Sequence, residues 1–282
     1  SQFVECLRIQ FSTPAGDCSS QPRQGEEEDH CQERTDSQNH TQEVAATRQP
    51  KGQLVPQQDC QHIYARQDQT LADWRKELTE ALSMAVDHLS MYQLTIEDGT
   101  AFGDRFARGG LRGLPDDDVQ ADMYALTQEV CAAHGMPAYE VSNHAAVGSE
   151  SRHNLIYWRM GDYIGIGPGA HGRLTLGGTR WATEAPRAPG DWLARVEAGK
   201  AGELPREAVP LPDQATEYLM MSLRLSEGSD LGRFARLNGA ELDADRIAGL
   251  VDLGLVTTEK DRLTATAEGR TVLNGVLREL LA

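Results

Sequence analysis

The stretch "RHNLIYWRMGDYIGIGPGAHGRL", Arg152 to Leu174, gathers most of the residues in this chain whose types and spacing could do chemistry. His153 offers an imidazole, a metal ligand when neutral and an acid or base near neutral pH. Tyr157 follows four positions later. That spacing puts both side chains on one side of the backbone, in a helix or in a strand. Asn154 can both donate and accept a hydrogen bond, so it could orient a ligand or a neighbour. The competing reading is structural: a histidine hydrogen-bonded into the interior, with Tyr157 and Trp158 as core. The next run, "GIGPGAHG", has glycines at 165, 167 and 169. They allow positive φ or close approach of the backbone to a ligand. Pro168 and the spacing exclude a dinucleotide fingerprint. The run reads as a tight turn or as a ligand-facing loop, with His171 as a further polar group at the same mouth.

The elements that must position these residues begin near Ile63. "QTLADWRKELTEAL" sets Leu71, Trp74, Leu78 and Leu82 on one helical face. Thr70 as N-cap and Asp73 three residues on form a capping-box pattern. "HLSMYQLTIEDGT" alternates Tyr92, Leu94 and Ile96 on one side before an Asp-Gly turn, as a strand does. "DDDVQADMYALTQEVCAAHGMP" spaces Val119, Met123, Leu126 and Val130 as a helix, with Gly135 as its cap and Pro137 as its stop. "AYEVSN" reads as a second short strand. Glu97, Asn143 and His144 then fall at the ends of two predicted strands. Carboxyl-terminal strand ends of a (β/α) barrel point into the active-site mouth, so all three are candidates for shaping a pocket. The structural alternative for each is a turn or cap.

Helix and strand alternate here as in a parallel α/β sheet or barrel. After Pro186 the strand signals thin out. Three short helices, a hairpin turning near Lys260-Asp261 and a last helix predict a helical, winged-helix-like module. Its counterpart of a recognition helix carries Asp243, Asp245 and Asp252 against one Arg246. That sign is wrong for a major groove, so the module is expected to be structural.

The formal charge of −16 over 282 residues also argues against a phosphate-binding surface, and no nucleic-acid partner is expected. No apolar run reaches the roughly 18 residues of a membrane helix. Five irregularly spaced cysteines suit a reducing compartment better than a disulfide framework, and the expected location is the cytoplasm. Residues 1–62 hold neither Trp nor Tyr and carry an acidic cluster at Glu26–Asp29. They show no sustained helical or strand period, which predicts a disordered segment.

At "YQLTIEDGTAF", "YEVSNHA", "RHNLIYW" and "GDYIGIGPGAHGRL" the chain resembles the oxygen-independent coproporphyrinogen III oxidase-like radical SAM proteins, and within them the HemW heme-chaperone branch. "IYARQDQTLADW", "EYLMMSLRLSEG" and "LTATAEGRTVLN" are similar to that family too. The resemblance covers about residues 63–282. It implies an α/β fold, with part of a radical SAM (β/α) barrel over 63–195 and the family's helical C-terminal domain over 196–282.

In the chaperone branch the resemblance also implies heme binding and delivery to a recipient hemoprotein. "HNLIY" looks like that branch's HNxxY signature, which implies roles for His153, Asn154 and Tyr157, with His153 as ligand to the heme iron. Gly167, Gly169 and His171 would shape the same mouth. A homodimer is conceivable, and membrane contact would come only through a recipient. The alternative activity is that of the coproporphyrinogen III oxidase itself, an enzyme of porphyrin biosynthesis using a [4Fe–4S] cluster and S-adenosylmethionine.

That chemistry needs a CxxxCxxC loop, whose three thiolates hold the cluster. The cysteines of this chain, at 6, 18, 31, 60 and 131, form no such loop. Where the family has an acid in "DLIY", this sequence has Gln61 in "QHIY". The expectation is therefore a non-catalytic chain in which the likeness stops abruptly near residue 62, as a shifted reading frame or a misjoined gene would produce. Sequencing the locus and its transcript upstream of the Ile63 codon should reveal the family's cluster loop in another frame. An intact transcript encoding residues 1–62 as given would remove that explanation.

Overall fold

The structure, a computed structural model, describes residues 60–282 with the exception of Glu97. The expectation of disorder for 1–62 lies almost wholly outside the described residues, as does the pocket role of Glu97.

The chain enters the described region on β1 (Cys60–Tyr64), crosses through α1 (Leu71–Met84) and returns on β2 (His88–Gln93). β1 and β2 pair in parallel, from Cys60 opposite Leu89 to Tyr64 opposite Gln93. The expected capping box is present: Asp73 N–H donates to Thr70 Oγ1 at 3.1 Å, and Thr70 N–H donates back to Asp73 Oδ2 at 3.2 Å. Of the predicted apolar face, Trp74, Leu78 and Leu82 are buried, while Leu71 remains 39% exposed. After a short α2 (Ala101–Ala107), α3 (Asp117–Ala133) packs on α1. Met123, Leu126 and Val130 join Trp74, Leu78, Leu89 and Met91 in one core, as their spacing predicted.

Two strand expectations need correction. β2 ends at Gln93, so Leu94 and Ile96 lie beyond it, although Leu94 N–H still donates to Tyr64 O at 2.9 Å. The second strand, β3, is Asn143–Ala145 rather than "AYEVSN", and it runs antiparallel to β2. The Glu140 carboxylate accepts from Ser142 N–H at 2.8 Å and from Asn143 Nδ2 at 2.5 Å, which holds 140–143 as a turn. The chain doubles back there, with Ala138 bridging His144. A wholly parallel sheet is therefore not what the described residues form; the sheet has the order β1-β2-β3.

α4 (Arg152–Trp158) follows, capped by Ser151. The glycine-dense run then leads into β4 (His171–Leu176) and β5 (Thr179–Glu184), an antiparallel hairpin extended by β6 (Glu207–Ala208). The sequence reading assigned no element to residues 171–184. The signal was "LTLGGTRW": Gly177 and Gly178 both have positive φ, +59° and +80°, as a two-residue hairpin turn demands. Between β5 and β6 lies α5 (Pro189–Glu197).

The C-terminal part contains α6 (Leu211–Ser222), β7 (Ser229–Asp230), α7 (Leu231–Asn238), α8 (Ala244–Asp252), the hairpin β8 (Val256–Glu259) and β9 (Arg262–Ala265), α9 (Ala267–Thr271) and α10 (Leu273–Leu281). The three expected helices, the hairpin at Lys260-Asp261 and the final helix are all present. β7 adds a third strand to the hairpin, in the order β7-β9-β8. A second core gathers Leu219, Leu223, Phe234, Leu250, Leu263 and Val276, with Met160 from the segment after α4. A buried ion pair ties the β4 hairpin to α6: Arg173 Nη2 donates to Glu217 Oε1 at 2.8 Å.

Trp74 anchors the first core. Its ring stacks on Tyr64 at 4.9 Å between centroids, and its indole N–H donates to Thr127 Oγ1 at 2.9 Å. Thr127 is buried, so Thr127→Val would leave that N–H with no acceptor. The expected loss is about 1–3 kcal/mol of unfolding free energy, read by urea denaturation. Thr127→Ser should retain most of the stability.

Candidate functional site

α4 decides where the predicted site residues go. A helix puts residues four apart one above the other, so His153 and Tyr157 do share a side. They meet different surroundings, however. His153, in the first turn, is exposed, whereas Tyr157 is buried at 7% exposure. Tyr157 packs edge-on against Trp158 at 5.0 Å and tilted against Tyr163 at 5.1 Å. Tyr163 in turn bridges Arg173 of β4 through two backbone hydrogen bonds of 2.8 and 2.9 Å. The aromatic cluster therefore fastens α4 to the hairpin that follows it.

Asn154 is half-buried, and its Nδ2 donates to the Tyr139 hydroxyl at 3.1 Å. That hydroxyl also lies 2.9 Å from Nε2 of His88, which is fully buried on β2. Trp158 carries the Arg224 guanidinium over its ring at 4.5 Å, and Arg224 Nη2 reaches 3.5 Å from Glu140 Oε2. Tyr139, Glu140, His88 and Arg224 all escaped sequence reading. Apart from the local bonds of Glu140 to Ser142 and Asn143, their partners stand 15 to 84 positions away, beyond the reach of local spacing. The one available signal was polar residues set in otherwise apolar stretches.

Asn143 and His144 are placed differently from expectation. β3 runs antiparallel to β2, so Asn143 pairs with Ser90 and His144 with Leu89, within β2 rather than at a shared carboxyl end. Both are buried, Asn143 at 5% and His144 at 0% exposure. Asn143 Oδ1 accepts from Ser90 Oγ at 2.6 Å while its amide holds Glu140. The turn at Glu140 folds both into the interior.

His171 opens β4 opposite Glu184 and is half-buried. Burial lowers its imidazole pKa against the pull of Glu184. Gly167 and Gly169 have φ of +108° and +71°, so the loop before β4 depends on them for its turn, as one of the two readings held.

A hollow of about 760 Å³ lies where β1 and β2 end, lined by Ala65, Leu94, Ile96, Phe106 and Asp116 among others. A second, of about 820 Å³, lies against Trp181, Arg195 and Leu204. Neither is lined by His153, Asn154 or Tyr157. On α4 itself Ile156, three residues from His153, is 47% exposed, and Arg152 is exposed too.

Residues 209–272 match the family described as the HemN C-terminal domain. A heme chaperone HemW of Mycobacterium tuberculosis is 38% identical over 222 residues, which are 78% of this chain and 54% of that protein. The Escherichia coli heme chaperone HemW is 35% identical over 218 residues, 76% of this chain and 55% of its own length. Residues 209–272 thus carry the HemN C-terminal domain, and the chain is similar to heme chaperones HemW over about three quarters of its length. A solved structure agrees on the fold: the Escherichia coli coproporphyrinogen III oxidase HemN, described as a radical SAM enzyme, superposes with a TM-score of 0.60 at 17% identity. That match covers 79% of this chain and 54% of the other. The chain spans about half the length of the curated HemW relatives it matches. No helix among the described residues is long and apolar enough to cross a membrane.

His144 gives the region a pH dependence. Neither ring nitrogen has a hydrogen-bond partner among the described residues, and only the Met136 backbone lies close enough to favour the charged form. Burial dominates and holds the imidazole down at about 4, with His88 and Arg270 adding to the effect. A group depressed in the folded state contributes stability that is fully present above its unfolded pKa, near 6.5, and is lost as pH falls toward 4. On the order of 3 kcal/mol should disappear across that window. His144→Leu should flatten this part of the stability-against-pH curve, measured by urea unfolding at stepped pH.

Proposed function

We propose that this chain binds heme on the exposed face of α4, with His153 as ligand to the iron, and passes it to a hemoprotein. The observation that carries the reading is the pairing on that face: an exposed imidazole with exposed Ile156 one turn away. Heme sites are mostly apolar apart from the axial ligand, and a neutral imidazole nitrogen is a common one. Arg152, beside His153, offers a cation for a propionate. A ligand held on a surface can be exchanged with a partner, as delivery requires, whereas one enclosed in the core would need the fold to open. The relatives named heme chaperones support the same reading.

Asn154 and the buried Tyr157 complete the signature by holding α4 in place. His171, Gly167 and Gly169 border the same region in this proposal. We further read the C-terminal helices and three-stranded sheet as a winged-helix-like module serving structure, the protein as cytoplasmic, and a homodimer as compatible with the exposed face.

The likeness to a radical SAM enzyme extends to the fold. Its [4Fe–4S] cluster, which would bind S-adenosylmethionine, needs thiolates, and the residues here do not fit it. Gaps of 12, 13, 29 and 71 positions separate the five cysteines. Cys131 is fully buried on α3, with its thiol pushed up to about 12, the opposite of what a thiolate ligand needs.

Hemin added to the purified chain should produce a Soret band displaced from that of free hemin. His153→Ala should weaken the band and move its maximum. Identical titrations for parent and variant would remove His153 as the ligand.

A further inference from the structure

The polar chain behind α4 has a direction, and that direction bears on how the helix is presented. Asn154 Nδ2 can only donate, so at 3.1 Å the Tyr139 oxygen accepts from it. The same hydroxyl lies 2.9 Å from His88 Nε2, so the three side chains form one continuous run, Asn154 to Tyr139 to His88. Both ends matter. His88 is 1% exposed on β2, paired with Ala145 of β3, so it cannot follow a moving helix. Tyr139 is equally fixed, because its carbonyl accepts from Ser226 N–H at 2.9 Å and Ser226 Oγ at 3.2 Å in the segment after α6.

We propose that Tyr139 and His88 are positioning residues of the heme site, holding the first turn of α4 through Asn154 so that His153 faces outward. The proposal rests on the heme-binding reading above and deepens it. Nδ2 keeps a second N–H beside its bond to Tyr139, and no protein donor is bonded to Oδ1 among the described residues, so Asn154 can both donate to and accept from a ligand while tethered. The seven-residue helix has few backbone bonds of its own, so a side-chain tether in its first turn has leverage on its direction.

The test is a double-mutant cycle on hemin affinity. Tyr139→Phe keeps the ring and deletes the hydroxyl. It should weaken hemin binding about three- to tenfold, with the His153-type Soret maximum retained and the melting temperature within a few degrees of the parent. In an Asn154→Ala background the same change should have no further effect, because the tether is already cut. Asn154→Leu, similar in size with neither donor nor acceptor, cuts the link from the half-buried helix position without touching the interior. It should reproduce the loss even if Tyr139→Phe folds poorly. Equal affinity of parent and Tyr139→Phe, or losses that add fully across the cycle, would overturn the positioning role while leaving His153 as ligand. A parent that shows no His153-dependent Soret band would instead overturn the heme reading, and this proposal with it.

Discussion

Glu140 is a carboxylate with no access to water, and much of the surrounding architecture is the answer to that fact. A buried charge must be met by donors or it destabilises the fold by several kcal/mol. Here Ser142 N–H and Asn143 Nδ2 bind one oxygen, and Arg224 approaches the other at 3.5 Å. The first two contacts force the turn that reverses the chain into β3. The third draws the residues after α6 against the α/β part, and Arg224 lies over Trp158 on the way. The placement of β3, of α4 and of the helical part are thus linked through one group. Losing one member of such a set costs more than the set contributes as a whole, because it leaves the other members buried and unmatched.

Legibility in the sequence followed the range of the interactions. α1 was readable because Thr70, Asp73 and the Trp74–Leu78–Leu82 face lie within one segment. α3, with its cap at Asp116 and positive-φ Gly135 beyond its end, was readable for the same reason. The reversed β3 was not. Its strand signal, "AYEVSN", is genuine in composition, but the Glu140 carboxylate binds its neighbours and overrides it. The β4–β5 hairpin is marked locally only by Gly177-Gly178, whose positive φ makes the turn.

The candidate site divides in the same way. The His153 to Tyr157 spacing was visible, and α4 confirms that the two share a side. What spacing could not show is that the helix end falls at the edge of the core, so one side chain is exposed and the other buried. Of the structural alternative weighed from sequence, the aromatic core holds for Tyr157 and Trp158, while His153 is not buried in the interior as that alternative required. The residues that brace the motif, Tyr139 and His88, come from elements whose proximity is a product of the fold alone.

The C-terminal core carries a consequence for how this family is divided. The matched domain spans 209–272, yet its interior includes Met160, from before the β4 hairpin, and Leu273, Val276, Leu277 and Leu280, from beyond the match. The half-buried Val141 packs against it as well. A segment inherited as a unit is therefore not a unit of packing. Excised at its family borders, it would carry an apolar hollow where Met160 and α10 belong, and an Arg173-deprived Glu217 in its wall. Heredity and hydrophobic closure draw different boundaries on the same chain.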